Sequence, residues 1–234
     1  MYGKTAAHTD KIFDADLRAL RDKLLAMGGL VEKAIGASVR AMIERDGPLA
    51  EQVKTKDREI NRMEVEIDGI CRRILALRQP AASDLRFITT ALKIVVDLER
   101  MGDLAVNVAE RSLDLNKAPP LGPMHDLVKI ADLAEEQLKG ALDAFVTNDA
   151  AKAEQVMGSD DLVDALYLKI FNDMVLAMME DPKNIRRATS IMFAAKHLER
   201  FADHAVNVAE MVIFMVRGQD VRHPKSRADE GDGQ

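Results

Sequence analysis

The chain has 234 residues, 47% of them hydrophobic and 31% charged, with aromatics at 4% and no tryptophan. That balance excludes a disordered chain and favours a sizeable core of Leu, Ile, Val, Met and Ala in helices. A net charge of −6 argues against a nucleic-acid or anionic-membrane binder, and the single cysteine, Cys71, excludes an intrachain disulfide and a cysteine-built zinc site.

The prolines punctuate the chain, because one inside a helix costs about 3 kcal/mol. A first helix is predicted from Asp10 to the break at Asp46-Gly47-Pro48, and a second over Leu49–Leu77. Ser83 is the expected N-cap of a third helix running to Leu115. Ala118-Pro119-Pro120-Leu121-Gly122-Pro123 reads as the main linker. A fourth helix follows to Val146, a turn falls at Asn148-Asp149, and a fifth helix runs to Glu180. The sixth spans Asn184–Val216, and a polar tail begins at Gly218. No segment alternates with period two, so the expected fold is all-α with six long helices.

The N-terminal segment Met1–Arg21 is charged and has no apolar signal core. The apolar runs Met174–Met179 and Met211–Val216 are too short to span a bilayer. A cytoplasmic location is therefore expected. Cys71, among Ile67, Ile70 and Ile74, reads as a buried packing residue. The methionine-rich run is expected in the core, with a partner surface as the lesser reading.

An internal duplication organises the chain. Leu98–Glu110 and Leu198–Glu210 are identical at ten of thirteen positions. Ala50-Glu51-Gln52-Val53 returns as Ala153-Glu154-Gln155-Val156, and Asp57 then pairs with Asp160. The repeat is a whole unit of three helices, giving two similar three-helix bundles over residues 1–118 and 119–217 and a tail over 218–234.

On a helical wheel Leu85, Ile88, Leu92 and Val95 continue into Glu99, Asp103, Val106 and Glu110. Ala188, Met192 and Ala195 likewise lead into Glu199, Asp203, Val206 and Glu210. Carboxylates turned toward other helices need a basic partner, a shared proton or a bound cation. Glu and Asp four apart also repel. Doubling that arrangement suggests a cation, and oxygen-only donors suit hard ions such as Mg²⁺, Mn²⁺, Ca²⁺ or Fe. Pairing with lysines or arginines of neighbouring helices is an open alternative of equal weight.

Asn107 and Asn207 extend each series as third ligands, as amides that hold a ligand in place, or as interhelical hydrogen-bond formers. Asp57, Asp160 and Asp164 lie near the starts of antiparallel second helices and could face the motif carboxylates, or simply favour a helix N-terminus. His204, which stands where the other copy has Leu104, reads first as a surface residue and second as an optional ligand. No Glu-x-x-His, nucleotide-binding loop or nucleophile motif occurs, which disfavours an enzyme.

The duplicated Glu-Arg-x-x-Asp-x-x-x-Asn helices resemble the PhoU family of phosphate-specific transport accessory and regulatory proteins. Met27–Glu32, Met63–Asp68, Arg78–Arg86, Met179-Glu180-Asp181 and Arg217–Asp220 carry the likeness through the chain, over about residues 10–223. The resemblance implies a cytoplasmic, non-enzymatic homodimer that represses phosphate-starvation signalling. It implies partners in the ATPase subunit of the phosphate ABC transporter and a sensor histidine kinase, with no nucleic acid and with membrane contact through partners only. It also implies divalent or trivalent metal ions (Mg, Mn, Zn or Fe) held through Glu99 with Asp103 and Glu199 with Asp203. Gly102 and Ala202 are small enough to admit a close helix or ion. Two other readings stay open: a metal-dependent carboxylate-bundle enzyme, and a helical scaffold with ion-paired carboxylates.

Overall fold

The structure, a computed structural model, describes residues 11–122, 124–219 and 221. The expected helix start at Asp10 and the tail beyond 221 lie outside the described residues, as do His8 and His223. Among the described residues there are no strands. Six long helices form: α1 (Lys11–Glu44), α2 (Gly47–Leu77), α3 (Ala82–Leu115), α4 (His125–Thr147), α6 (Asp160–Glu180) and α7 (Ile185–Arg217). A short α5 (Ala150–Met157) stands between α4 and α6.

The turns follow from local chemistry. Arg45 takes a left-handed conformation (φ 59°), and Asp46 then caps α2 by accepting from the Leu49 amide at 2.9 Å. The Arg45 guanidinium donates to the carbonyls of Leu115, Asn116 and Ala118, closing the end of α3. The second half repeats the device. Asn148 is left-handed (φ 53°) and Asp149 caps α5 through the Ala151 and Lys152 amides.

Two sequence expectations change. Ser83 does not cap α3: Ala81 takes that place, its carbonyl accepting from the Leu85 amide at 2.8 Å, and Asp84 brings negative charge into the first turn. The predicted fifth helix is two helices, because the chain breaks at Gly158-Ser159, where the Ser159 hydroxyl donates to the Val156 carbonyl.

α1, α2 and α3 pack as one bundle, and α4, α5–α6 and α7 as a similar second one. One continuous core joins them, chiefly where α3 lies along α7 and α1 meets α4. Helices approach closely at Gly28, where a Cβ would stand 2.3 Å from Leu142 Cδ1. Phe87 of α3 stacks on Phe145 of α4 with ring centroids 5.5 Å apart. Burying a side chain such as Phe145 or Phe201 completely, as here, stabilises by about 1.5–3 kcal/mol.

Cys71 is fully buried, and burial pushes its thiol up to about 11, so it is an inert packing group. The methionine-rich run is only partly core: Met174 is half-buried against the core, and Val175, Ala177 and Met178 are half-buried. On α6 only Val163 and Ile170 are buried, while Leu176 and Met179 are exposed. α6 is apolar nearly all round, but only one flank meets α4 and α7.

Candidate functional site

The two motif helices, α3 and α7, carry the most buried residues of their bundles, and their carboxylates lie at the shoulder of the buried face. Leu85, expected on the inner stripe, is exposed, which shows that the core faces a neighbouring line of the helix. Glu99 is half-buried and Glu199 buried, while Asp103 and Asp203 open toward solvent.

In the first half α2 supplies Asp57 and Glu64 opposite Glu99 and Asp103 of α3. The helices can meet there because residue 102 is glycine: a Cβ would lie 3.0 Å from Ile60 Cδ1 and 3.3 Å from Asp57 Oδ1. Burial first, then the charges of Asp103, Glu64 and Asp57, raise the Glu99 carboxyl above its ordinary range. Burial and Asp103 raise Asp57. Asn61 donates to Asp57 Oδ2 at 3.0 Å, but Asp57 Oδ1 is buried with no hydrogen-bond partner.

The second half gathers Asp160, Asp161 and Asp164 of α6 against Glu199 and Asp203 of α7. Although one side of Asp203 opens to solvent, partial desolvation against α6, with the charges of Glu199, Asp160 and Asp164, pushes its carboxyl up to about 6. Burial, with Asp164, Asp161 and Glu199, raises Asp160. Glu199 Oε1 accepts from Lys196 at 2.6 Å, so here an internal cation answers part of the charge. Glu199 Oε2 is buried without a partner. The first half has Val96 in place of that lysine.

The structure thus brings Asp57, Glu99 and Asp103 into one cluster and Asp160, Asp164, Glu199 and Asp203 into the other. Asn107 and Asn207 stand a turn further along, half-buried, and neither makes a side-chain hydrogen bond among the described residues. Sequence reasoning missed Glu64 and Asp161. Glu64 was legible as the i+7 partner of Asp57 on α2. His204 is neither a free surface residue nor a ligand of these clusters: its Nδ1 lies 2.7 Å from Asp97 Oδ1 of α3.

The donors are all oxygen, two of them buried and unsatisfied, and Asp57, Glu99, Asp160 and Asp203 are held toward the protonated state. That chemistry fits a hard cation. Among the described residues, no three His, Cys, Asp or Glu side chains already converge closely enough to hold a metal ion.

Comparison with known proteins decides the family. Residues 24–112 and 127–212 each match the PhoU domain. The chain belongs to the PhoU family. PhoU homologues named phosphate-specific transport system accessory proteins include one from Pseudomonas putida, 46% identical over 92% of this chain and 85% of the relative. Another, from Pseudomonas aeruginosa, is 47% identical over 92% and 90%. The crystal structure of PhoU from Pseudomonas aeruginosa superposes with a TM-score of 0.85 at 46% identity, covering 88% of this chain and all of that one. The phosphate transport system regulatory protein PhoU from Streptococcus pneumoniae gives 0.83 at 31% identity, covering 89% and 99%. Among the described residues no helix is long and apolar enough to cross a membrane.

Proposed function

We propose that this protein is a non-enzymatic accessory and regulatory protein of a phosphate-specific transport system, whose two carboxylate clusters bind multivalent cations. Its action is to hold phosphate-starvation signalling off when phosphate is ample, linking the transporter's ATPase subunit to a sensor histidine kinase from the cytoplasm as a homodimer. The likeness to accessory and regulatory PhoU proteins over nearly the whole chain supports the transport role. One observation carries the metal reading: each half sets raised carboxyls and an unsatisfied buried oxygen on facing helices.

Glu99, Asp103, Asp57 and Glu64 would hold a cation in the first half, and Glu199, Asp203, Asp160 and Asp164 in the second. Bound there, the ion supplies positive charge that offsets the mutual repulsion and ties α2 to α3, or α6 to α7. Asn107 and Asn207 are near enough in sequence to add a neutral oxygen.

The test is genetic. Deleting the gene in its host leaves alkaline phosphatase expressed in high phosphate, and the intact gene restores repression. Continued repression in the deletion strain contradicts the regulatory role. Turnover of a phosphate ester by metal-loaded protein, absent from variants lacking Glu99 and Glu199, contradicts the non-enzymatic reading.

A further inference from the structure

Between α1, α2 and α3 lies a cleft of about 230 Å³. Leu30, Ala34, Val53, Ile60, Gly102 and Val106 give it an apolar lining. An apolar cavity of about 150 Å³ already accommodates benzene. At its edge stand Lys33 and Lys56, exposed and without an ionic partner among the described residues. Two acidic groups share the lining: Glu59 faces Arg62 at 3.9 Å, and Asp57 accepts from Asn61 through Oδ2 while its Oδ1, turned toward Gly102 and the carboxylate cluster, stays without a hydrogen-bond partner.

The second half shows how such a space is closed. The α1–α2 and α4–α5 turns correspond at a constant offset of 103 residues, since Arg45 and Asp46 match Asn148 and Asp149 in backbone and capping role. At that offset Ala34 corresponds to Gln137 and Lys56 to Ser159. Gln137 is buried, and its amide donates to the Ser159 hydroxyl at 3.0 Å, bridging α4 to the α5–α6 junction. In the aligned motif helices Gly102 corresponds to Ala202. The first half lacks the bridging side chain and carries a lysine instead of the serine, while at Gly102 the place of the absent methyl is already taken by Ile60. Lys33 corresponds to Glu136, so both edge cations belong to the first half alone.

We infer that this cleft is a binding site for a small organic anion, an apolar body seated on Ala34, Ile60 and Gly102 with its carboxylate or phosphate toward Lys33 and Lys56. Apolar contact supplies the affinity and the lysines the orientation. The inference needs no metal in the neighbouring cluster.

Calorimetric titration of the full-length protein tests it, with 1-naphthyl phosphate and 1-naphthoate as probes, and 1-naphthalenemethanol and inorganic phosphate as controls. Either organic anion binds once per chain, the neutral alcohol binds more weakly, and inorganic phosphate does not compete. Binding of both organic anions indicates a general anion requirement, and binding of naphthyl phosphate alone indicates a phosphate monoester. Ala34→Gln restores the second half's plug and weakens binding by about tenfold or more. Lys33→Gln with Lys56→Gln, both on exposed side chains, leaves the fold intact and weakens binding about threefold to tenfold. Equal affinity in wild type and both variants, no binding of either organic anion, or equal competition by inorganic phosphate overturns the assignment.

Discussion

His204 of α7 lies against Asp97 of α3, with Nδ1 and Oδ1 2.7 Å apart and side chains only 12% and 8% exposed. With the ring proton on Nδ1 the imidazole donates and the carboxylate accepts. The pair bridges the two motif helices, and thus the two halves of the molecule. In the duplicated arrangement residue 97 corresponds to His197 and residue 204 to Leu104, so the pairing exists once. The His197 Nδ1 is buried without a hydrogen-bond partner, and burial lowers that imidazole's affinity for a proton.

Replacing His204 by leucine leaves Asp97 buried with no donor. Urea unfolding is expected to show a loss of about 2–3 kcal/mol. Adding Asp97→Leu removes the orphaned charge and recovers most of that loss, because replacing both partners is nearly neutral.

Lys196 answers Glu199 from one turn away, and its ammonium stands 5.0 Å from the Tyr167 ring centroid. Lys196→Met strips Glu199 of that partner while Oε2 is already unsatisfied. Metal-free protein is expected to lose about 1–3 kcal/mol in chemical denaturation. The same variant gains cation affinity in the second half, read by titration calorimetry, since the competing internal charge is gone.

The raised carboxyls set a pH dependence. The Asp203 carboxyl is pushed up to about 6 in the fold against an ordinary 3.8, so between these values the native state keeps a proton that the unfolded chain has released. Stability therefore falls as pH rises through that window, and the whole cost is present above about 6. Glu99, Asp57 and Asp160 act in the same direction. The exposed carboxylates Glu66 and Glu154 and the half-exposed Asp114 and Asp126 are lowered by lysines and arginines and act oppositely, but weakly near water. Comparing thermal midpoints of metal-free wild type and Asp203→Asn isolates the effect: the variant is more stable above pH 6, and the advantage vanishes below pH 4.

The architecture was largely legible because prolines and a duplication speak in sequence. Asp46-Gly47-Pro48 and Asp181-Pro182 mark real breaks, and the repeated Glu-x-x-x-Asp spacing put carboxylates on related faces of α3 and α7. What escaped was tertiary. No wheel reveals that Asp97 meets a histidine 107 residues away, or that α6 leaves Leu176 and Met179 uncovered. The break at Gly158 was hidden because Gly158 there has an ordinary right-handed backbone, and the Ser159 hydroxyl, not a left-handed glycine, accompanies the stop. The inward stripe was misplaced by part of a turn, so Asp103 and Asp203 proved more exposed than Glu199.

Thermal unfolding of chelator-stripped protein with Mg²⁺, Mn²⁺, Zn²⁺ or Fe³⁺, paired with elemental analysis of protein purified without chelators, tests the cation account most directly. A cation at about a hundred times its Kd is expected to stabilise the fold by about 2.7 kcal/mol per site. Glu99→Ala with Asp103→Ala removes one half's share of metal and of the shift, and Glu199→Ala with Asp203→Ala removes the other. Wild-type protein that purifies without metal and melts at the same temperature with every cation contradicts it.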